Sequence, residues 1–507
     1  MPIKNHRHGP GMIRSSKVIR YLILMLGLLA YTFSGLNWNV GITAWIAPAL
    51  LLFYSRSSKW SGLLFLFLGL AFCSAVSKTA ENVSGVFIIY ITTGLSYGFL
   101  YCLPYLIDKH VVKKGVKFYS TLIFPSAVLS VEYVLSLLIG IWGNGAIAQF
   151  HNSNLIQISS VFGVFGISFL IAWFGSTLNW VVENGIKSKR LWTGLVIYGT
   201  VLISVLFFGV IRQKSLPEAE DTVKVATIVG VTDIQQVFED WEENIIGLSK
   251  NYAQEIPAEI YSDSSDMEAM INRTDKALSN GAKIVVWNEI SLLLTPSQTG
   301  SLVEKVKDLC AKYQAFVLIA VLEKNAGDLP KPFNNISILV DPECQILWNY
   351  QKYYLSHERL VTNTGSGPIP FADTEYGRIA NTICADLDFS AYISQVGKES
   401  VDILLVPAFD WEEVTHYHAH MAAFAAIQYG VSIVRANGKG ITALYGTRGN
   451  IIALSNTFKS DTKVNFAELP IIKATSIYSS IGDCFVYVWM LFLLIMIGLR
   501  FSKRVDI

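Results

Sequence analysis

The stretch "NTICADLDF", residues 381–389, joins a short apolar strand pattern to one cysteine and two aspartates. The apolar run ends where Cys384 and Asp386 follow it. Two other apolar runs end in the same way, because "VVWNE" closes on Glu289 and "WNYQK" closes on Lys352. In α/β proteins, functional side chains gather at the carboxyl ends of strands. A cysteine taken alone is more often a buried packing residue, so the case for a reactive thiol depends on its neighbours.

The segment around these strand ends alternates between strand and helix patterns. β-branched runs bounded by turn residues predict strands, and helical spacing predicts the helices between them. The strands are expected at 223–231, 282–289, 315–323, 334–342, 344–352, 377–385, 402–409, 431–438 and 441–454. The helices are expected at 237–256, 267–280, 298–313, 390–397 and 417–429. This pattern predicts a layered α/β fold with a mixed sheet or sheets.

The composition of the whole chain differs from that of a soluble protein. Of 507 residues, 52% are hydrophobic and only 16% are charged, against roughly a quarter charged in an average soluble domain. The net charge of +1 argues against nucleic acid as a partner. Apolar runs predict about eight membrane spans, near 18–36, 39–55, 60–77, 85–107, 119–141, 156–182, 191–212 and 482–500.

These spans divide the chain into three parts. Residues 1–213 are predicted to form a membrane domain of seven transmembrane helices, residues 214–480 a catalytic domain, and residues 481–507 an eighth helix with a basic tail. Lysine and arginine cluster before the first span, in the even-numbered loops and in the tail. By the positive-inside rule both termini are cytoplasmic, which places the catalytic domain on the outer face of the membrane.

Glu132 is a carboxylate inside the fifth predicted span. An ionisable group in the hydrocarbon region is costly and indicates a functional site by default. The alternative is that Glu132 lies near a helix end or pairs with a polar neighbour and holds the helices together. Both interpretations stay open at the level of the sequence.

The three strand-end residues, Glu289, Lys352 and Cys384, can act together in one reaction. A thiol with a pKa near 8.5 is a poor nucleophile until it loses its proton. The Glu289 carboxylate could accept that proton, and the Lys352 ammonium could stabilise both the thiolate and a developing oxyanion. Such a set performs acyl transfer through a thioester on Cys384.

Glu289 in "VVWNE", Lys352 in "YQKYYL" and Cys384 in "ICADLDF" resemble, in order, the Glu–Lys–Cys triad of the nitrilase (carbon–nitrogen hydrolase) superfamily. The resemblance implies an α-β-β-α sandwich in which Glu289 is the general base, Lys352 supports the oxyanion and Cys384 carries the acyl group. Eight spans with such a domain before the last one resemble the narrower apolipoprotein N-acyltransferase family. That family acylates bacterial lipoproteins and implies a location in the inner membrane.

The resemblance also implies supporting residues and shows departures. Glu358 matches a second carboxylate that the family places after the lysine, and Asp386 stands where the family usually has glutamate. The segment after the lysine reads "LSHERL" here, and the stretch between Lys352 and Cys384 is short. The triad is intact, whereas the departures leave the identity of the substrate open.

Three alternating histidines in "HYHAH", residues 416–420, raise the possibility of a metal site. A spacing of two spreads side chains around a helix, whereas helical metal sites more often use spacings of three or four. We therefore predict no metal and no cofactor, and expect His418 to cap or orient the wall of the site.

Three functions from different classes fit the sequence. The first is a membrane acyltransferase that moves an acyl group from a phospholipid, through Cys384, to the amine of a diacylglyceryl-cysteine lipoprotein. The second is a membrane-tethered amidase acting on an extracytoplasmic amide, for which a single span would suffice. The third is a non-catalytic membrane binding or transport protein, which the presence of all three triad residues disfavours.

Overall fold

The computed structural model describes residues 17–36, 38–77, 87–112, 117–184, 189–230, 262–325 and 331–502. The predicted helix at 237–256 lies outside these residues. The chain divides into two compact units. The first consists of Met1–Leu138, Trp142–Gln213 and Ile481–Ile507, and the second of Ile139–Ile141 and Lys214–Ser480.

The first unit is helical throughout its main elements, and each of the eight predicted spans coincides with a helix. The helices are α1 (Lys17–Ser34), α2 (Gly41–Ser57), α3 (Gly62–Ser77), α4 (Phe87–Val111), α5 (Ile123–Ile139), α6 (Ser159–Asn184), α7 (Lys189–Ser215) and, in the C-terminal part, α12 (Cys484–Phe501). A 3-10 turn, Phe118–Leu122, precedes α5. Gly163, with φ +64°, interrupts α6.

Six segments in the described part of the chain are long and apolar enough to cross a membrane. They are Lys17–Ser34, Phe87–Val111, Phe118–Ile139, Leu155–Asn184, Trp192–Ser215 and Cys484–Phe501. The other two helices, α2 and α3, have 17 and 16 residues and are shorter than these six segments. The prediction of a helical membrane domain is therefore confirmed, and the predicted number of eight spans is approximate.

The second unit contains fourteen strands in its described residues. They are β1 (Thr222–Ile228), β2 (Ile284–Trp287), β3 (Leu293–Leu294), β4 (Phe316–Lys324), β5 (Phe333–Val340), β6 (Ile346–Gln351), β7 (Thr362–Asn363), β8 (Phe371–Thr374), β9 (Gly377–Asn381), β10 (Ile403–Ala408), β11 (Ser432–Asn437), β12 (Ile441–Tyr445), β13 (Ile451–Asn456) and β14 (Val464–Pro470).

These strands form two mixed sheets. The first has the order β14-β1-β2-β4-β5-β6, with β3 beside β4 and β7 beside β5. The second has the order β13-β12-β11-β10-β9-β8. The central strands β1, β2 and β4 run parallel, as do β9, β10 and β11. The short strands β3 and β7 also pair in parallel with their neighbours, and the remaining strands pair antiparallel. The predicted strand 441–454 is wrong as a single element, because a turn separates β12 from β13.

The two sheets pack face to face, and helices cover their outer faces. Alternation along β2 shows the layers, because Ile284 and Val286 join the core shared with the second sheet. Val285 and Trp287 instead join the core beneath α8 (Ser264–Ser279) and α9 (Pro296–Tyr313). On the second sheet, α11 (Thr415–Tyr429) packs against β11 and β12, next to α10 (Ser390–Lys398). The predicted α-β-β-α sandwich is confirmed.

All six cysteines lie in described residues, and all are free thiols. Cys310 is buried among the apolar residues under α9.

Candidate active site

Glu289 follows β2, where the buried strand ends. Its side chain is only 2% exposed. The next residue, Ile290, has φ +53°, a left-handed conformation that is unusual for a β-branched residue. Strained backbone of this kind costs on the order of 1–3 kcal/mol and persists where the surrounding structure imposes it, often at functional sites.

Lys352 follows β6 and points its ammonium at two carboxylates. Its Nζ donates to Glu289 Oε1 at 2.7 Å and also to Glu358 Oε1. Glu289 Oε1 accepts a second bond, at 2.7 Å, from Asn335 Nδ2 on β5. The backbone N–H of Lys352 donates to the carbonyl oxygen of Asn335 at 2.9 Å, so this strand sets the position of both members of the pair.

Burial and charge set the proton affinities of this cluster. Burial alone would lower the pKa of Lys352, but Glu289 and Glu358 raise it well above its ordinary value. Burial raises the pKa of Glu289, and the Lys352 charge opposes that rise. Lys352 is therefore a fixed cation, and Glu289 is a stronger base than a solvated glutamate.

Cys384 lies at a sharp turn between β9 and a 3-10 helix, Cys384–Asp388. Its φ of +46° is left-handed, and the residue is 5% exposed. Its Sγ lies 3.9 Å from the carbonyl oxygen of Phe409, just after β10. Burial and the Glu289 charge raise the pKa of Cys384 well above its ordinary value, whereas Lys352 lowers it. The thiol is thus neutral at rest and needs a base before it can attack.

Asp386 ties the cysteine turn to the segment that carries Lys352. Its Oδ2 accepts from the Ile383 N–H at 3.0 Å and from the Tyr350 hydroxyl at 2.6 Å. Its Oδ1 accepts from the N–H groups of Tyr353 and Tyr354, at 3.1 and 2.7 Å. Burial raises the pKa of Asp386 to about 6, although these bonds oppose the shift. Asp386 is a structural acceptor that joins two strand ends.

His418, on α11, lies in a second buried cluster next to Cys384. Its Nδ1 is 2.7 Å from Asp410 Oδ1 and its Nε2 is 3.0 Å from Asp388 Oδ1. Arg435, on β11, donates from Nη2 to the same Asp410 oxygen at 2.7 Å. Burial alone would lower the pKa of His418, but Asp388 and Asp410 raise it to about 9. Burial alone would raise the pKa of Asp410, but Arg435 and His418 hold it well below its ordinary value.

The donor atoms of Cys384, Asp410 and His418 lie within 4.8 Å of one another, a grouping that could hold a metal ion by distance. Both ring nitrogens of His418 already face carboxylates, and the Arg435 guanidinium shares Asp410 Oδ1. A second cation at that oxygen would meet a fixed positive charge. These contacts fit an ion-pair network better than a metal centre.

The structure brings the predicted residues of the catalytic domain together in the second unit. They are Glu289, Lys352, Cys384, Glu358, Asp386 and His418. Glu132 belongs to the first unit, where its carboxylate accepts from Asn144 Nδ2 at 3.1 Å and from the Gly145 N–H at 3.4 Å. These bonds fit the interpretation in which Glu132 pairs with polar neighbours and holds the helical unit together.

Sequence reasoning missed four residues of the site: Asn335, Asp388, Asp410 and Arg435. Asp388 and Asp410 stand at or near strand ends, as Glu289 does, so the same signal could have found them. Arg435 lies inside an apolar strand, "VSIVRANG", and a charge in such a run indicates a buried ion pair. Asn335 carries no local signal, because its role comes from pairing between β5 and β6.

Comparison with known proteins gives two domain matches. Residues 225–476 match the carbon-nitrogen hydrolase family, and residues 27–177 match the apolipoprotein N-acyltransferase N-terminal domain. The chain is similar to an apolipoprotein N-acyltransferase of Borreliella burgdorferi, with 24% identity over 72% of each chain. It is also similar to apolipoprotein N-acyltransferase 1 of Treponema denticola, with 23% identity over 96% of this chain and 98% of the relative. An amidase from Nesterenkonia sp. aligns with a TM-score of 0.38 and 14% identity, over 51% of this chain and 94% of that one.

The sandwich with its Glu–Lys–Cys cluster and the helical N-terminal region define a membrane protein that carries a carbon–nitrogen hydrolase domain. The match to the N-terminal domain and the relatives named above support a narrower assignment. The chain belongs to the apolipoprotein N-acyltransferase family, as a divergent member within the nitrilase superfamily.

Proposed function

We propose that this protein is an N-acyltransferase of lipoprotein maturation, with Glu289, Lys352 and Cys384 as its catalytic residues. The observation that carries the proposal is the buried cluster in which Lys352 bonds to Glu289 beside the Cys384 thiol. This cluster occurs in a chain that also carries the N-terminal domain of the family. The donor is a phospholipid, and the acceptor is the α-amine of a diacylglyceryl-cysteine lipoprotein.

In the first half-reaction Glu289 takes the proton of the Cys384 thiol, and the thiolate attacks the ester carbonyl of the phospholipid. Negative charge develops on the carbonyl oxygen, where the Lys352 ammonium stabilises it. The tetrahedral intermediate collapses as Glu289 returns the proton to the leaving alkoxide. A lysophospholipid departs, and the acyl group remains on Cys384 as a thioester.

In the second half-reaction the lipoprotein amine attacks the thioester carbonyl. Glu289 accepts a proton from the attacking nitrogen, and the Cys384 sulfur leaves and is reprotonated. The product is an amide, and the free enzyme is restored. Burial of the three side chains excludes bulk water, which limits hydrolysis of the thioester between the two steps.

The supporting residues keep this cluster in place. Glu358 accepts a second bond from the Lys352 ammonium, and Asp386 fixes the turn at Cys384. Both substrates are anchored in the bilayer, which accounts for a helical membrane unit larger than a single anchor. We place both termini in the cytoplasm of a bacterial cell with the catalytic domain on the outer, periplasmic face, on the distribution of basic residues between loops.

The acyl intermediate is the direct test. The full chain, purified and reconstituted with phospholipid of one defined acyl composition, is digested and analysed by mass spectrometry. We expect one acyl group on the peptide containing Cys384, and no adduct on that peptide in Cys384→Ala. Cys344→Ala is the matched control, because it removes a thiol of the same unit that contacts none of the cluster and should leave the adduct unchanged.

Addition of a synthetic diacylglyceryl-cysteine peptide should then discharge the thioester and yield the N-acylated peptide. An acceptor with an acetylated amine should leave the thioester intact. Absence of any adduct, together with ammonia release from small amides, would contradict the acyltransferase and favour the amidase. If Cys384→Ala keeps both the acyltransferase and the amidase activity, both enzyme hypotheses are contradicted.

A further inference from the structure

The imidazole of His418 is bridged between two carboxylates. Its Nδ1 lies 2.7 Å from Asp410 Oδ1 and its Nε2 lies 3.0 Å from Asp388 Oδ1. A neutral imidazole has one N–H donor and one acceptor, and a carboxylate only accepts. Both contacts are hydrogen bonds only when both nitrogens carry protons. Between two ionised carboxylates, this geometry fits an imidazolium that donates one bond to each of them.

Arg435 approaches both members of this contact. Its Nη2 lies 2.7 Å from Asp410 Oδ1 and 3.0 Å from His418 Nδ1. The contact between the two nitrogens is a hydrogen bond only if Nδ1 lacks a proton, whereas the shorter contact of Nδ1 with Asp410 Oδ1 needs that proton. We therefore assign both groups as donors to the same carboxylate oxygen. The other oxygen of Asp410 accepts from Asn437 Nδ2 at 2.6 Å and from the Thr415 hydroxyl at 3.1 Å, so this carboxylate is held on every side.

The two carboxylates belong to the two chain segments that flank the nucleophile. Asp388 is the last residue of the 3-10 helix that begins at Cys384. Asp410 follows Phe409, whose carbonyl oxygen faces the Cys384 sulfur. His418 thus joins the turn that carries the thiol to the segment that lies across from it. It does so from α11, an element that supplies none of the triad.

We infer that His418 is a cationic positioning residue for Cys384, which fixes the turn of the nucleophile and balances the negative charge next to its thiolate. The charged groups that face His418 are Asp388 from the cysteine turn, Asp410 from the end of β10 and Arg435 from β11. With His418 protonated, the two cations balance the two carboxylates. Without that proton one net negative charge stays within a few ångströms of the sulfur and disfavours the thiolate.

The inference rests on the proposed function only in taking Cys384 as the nucleophile, and its test needs no lipid substrate. The rate of alkylation of Cys384 by iodoacetamide is measured against pH in the full chain, with mass spectrometry of the Cys384 peptide. Cys484, an exposed thiol of the first unit, is the internal reference. We expect His418→Gln to slow alkylation of Cys384 about tenfold or more at a fixed pH below the pKa of the thiol. The pH profile of the alkylation rate should shift to higher pH.

Two further variants separate charge from architecture. Asp388→Asn removes one negative charge and should shift the profile to lower pH. His418→Gln combined with Asp388→Asn restores the charge balance and should bring the profile back towards that of the wild type. His416→Gln, an exposed histidine of the same helix, is the matched control and should change nothing.

Equal profiles in the wild type and His418→Gln would overturn the inference. So would a slower reaction in both single variants with no recovery in the double variant, because that result is expected of a merely structural role. If His418→Gln does not fold, the direction of the shift in Asp388→Asn decides, since a shift to higher pH contradicts charge balance. If the wild type transfers no acyl group while the variants shift the alkylation profile of Cys384 as expected, that result counts against the proposed function alone.

Discussion

Replacing Asp386 by asparagine exchanges one carboxylate oxygen for an NH₂ group within a fully occupied acceptor site. In the wild type, one oxygen accepts from the N–H groups of Tyr353 and Tyr354, and the other from the Ile383 N–H and the Tyr350 hydroxyl. In either orientation of the amide, the new donor faces at least one backbone N–H. The Tyr350 hydroxyl can turn and accept, so the less costly orientation leaves the Ile383 N–H without a partner.

The magnitude follows from that single lost acceptor. A buried donor without a partner costs about 1–3 kcal/mol, so we expect the free energy of unfolding to fall by about 2 kcal/mol. For a domain of this size, that corresponds to a decrease in melting temperature of roughly 4–8 °C. Because Ile383 precedes Cys384, the turn of the nucleophile also shifts. A displacement on the order of 1 Å can cost about a hundredfold in rate, so acylation should slow by at least tenfold.

The assay pairs thermal unfolding of the detergent-solubilised full chain with the rate of acyl-adduct formation on Cys384. Asp373→Asn is the matched control, since Asp373 forms an exposed ion pair with Arg378 and its side chain is 75% exposed. Such surface pairs contribute about 0–1 kcal/mol, so the control should unfold close to the wild-type temperature. An Asp386→Asn protein with unchanged melting temperature and unchanged acylation would refute the role given to this carboxylate.

Two further predictions concern buried charges. Lys352→Met leaves the Glu289 and Glu358 carboxylates buried without their cation, so we expect a loss of roughly 3–5 kcal/mol in unfolding free energy and no acyl adduct. Adding Glu358→Gln to this variant should recover part of the stability and none of the activity. A Lys352→Met protein as stable as the wild type contradicts the ion-pair account. His418 has a pKa raised from 6.5 to about 9, so its stabilising contribution is complete below pH 6.5 and is lost as the pH rises through 9. The excess stability of the wild type over His418→Gln should therefore decrease by about 3 kcal/mol from pH 6 to pH 9.5, and a pH-independent difference in melting temperature contradicts the shift.

The strand-end residues of the site were accessible from sequence because their signal is local. A buried strand reads as a continuous apolar run, and a charged or reactive residue directly after it marks the edge of a sheet. Glu289, Lys352 and Cys384 all follow this rule, since they come after β2, β6 and β9. The layered α/β fold with mixed sheets followed from the same runs together with the turn residues between them, whereas the α-β-β-α sandwich followed from the resemblance to the nitrilase superfamily.

Other parts depend on contacts between distant segments and have no local signal. β14 contains alternating polar residues and forms a strand only because it pairs with β1, more than 230 residues earlier in the chain. Arg435 is fully buried because Asp410 and the carbonyl oxygen of Ile441 receive its donors. The pattern in "HYHAH" gave a role for His418 in the wall of the site, but neither of its carboxylate partners.

The two charge clusters around Cys384 differ in what they can control. Lys352 lowers the pKa of both Glu289 and Cys384, so its charge favours an anion in the site without deciding which of the two groups holds the proton. The main influences on the pKa of Glu289 are burial, Lys352 and Glu358. The pKa of Cys384 responds to burial, Glu289 and Lys352, and also to Asp410 and Arg435. A change in the second cluster therefore acts on the thiol more than on the base. Because proton transfer from Cys384 to Glu289 depends on the difference between their pKa values, the cluster around Asp410 is the part of the site that can adjust this step separately.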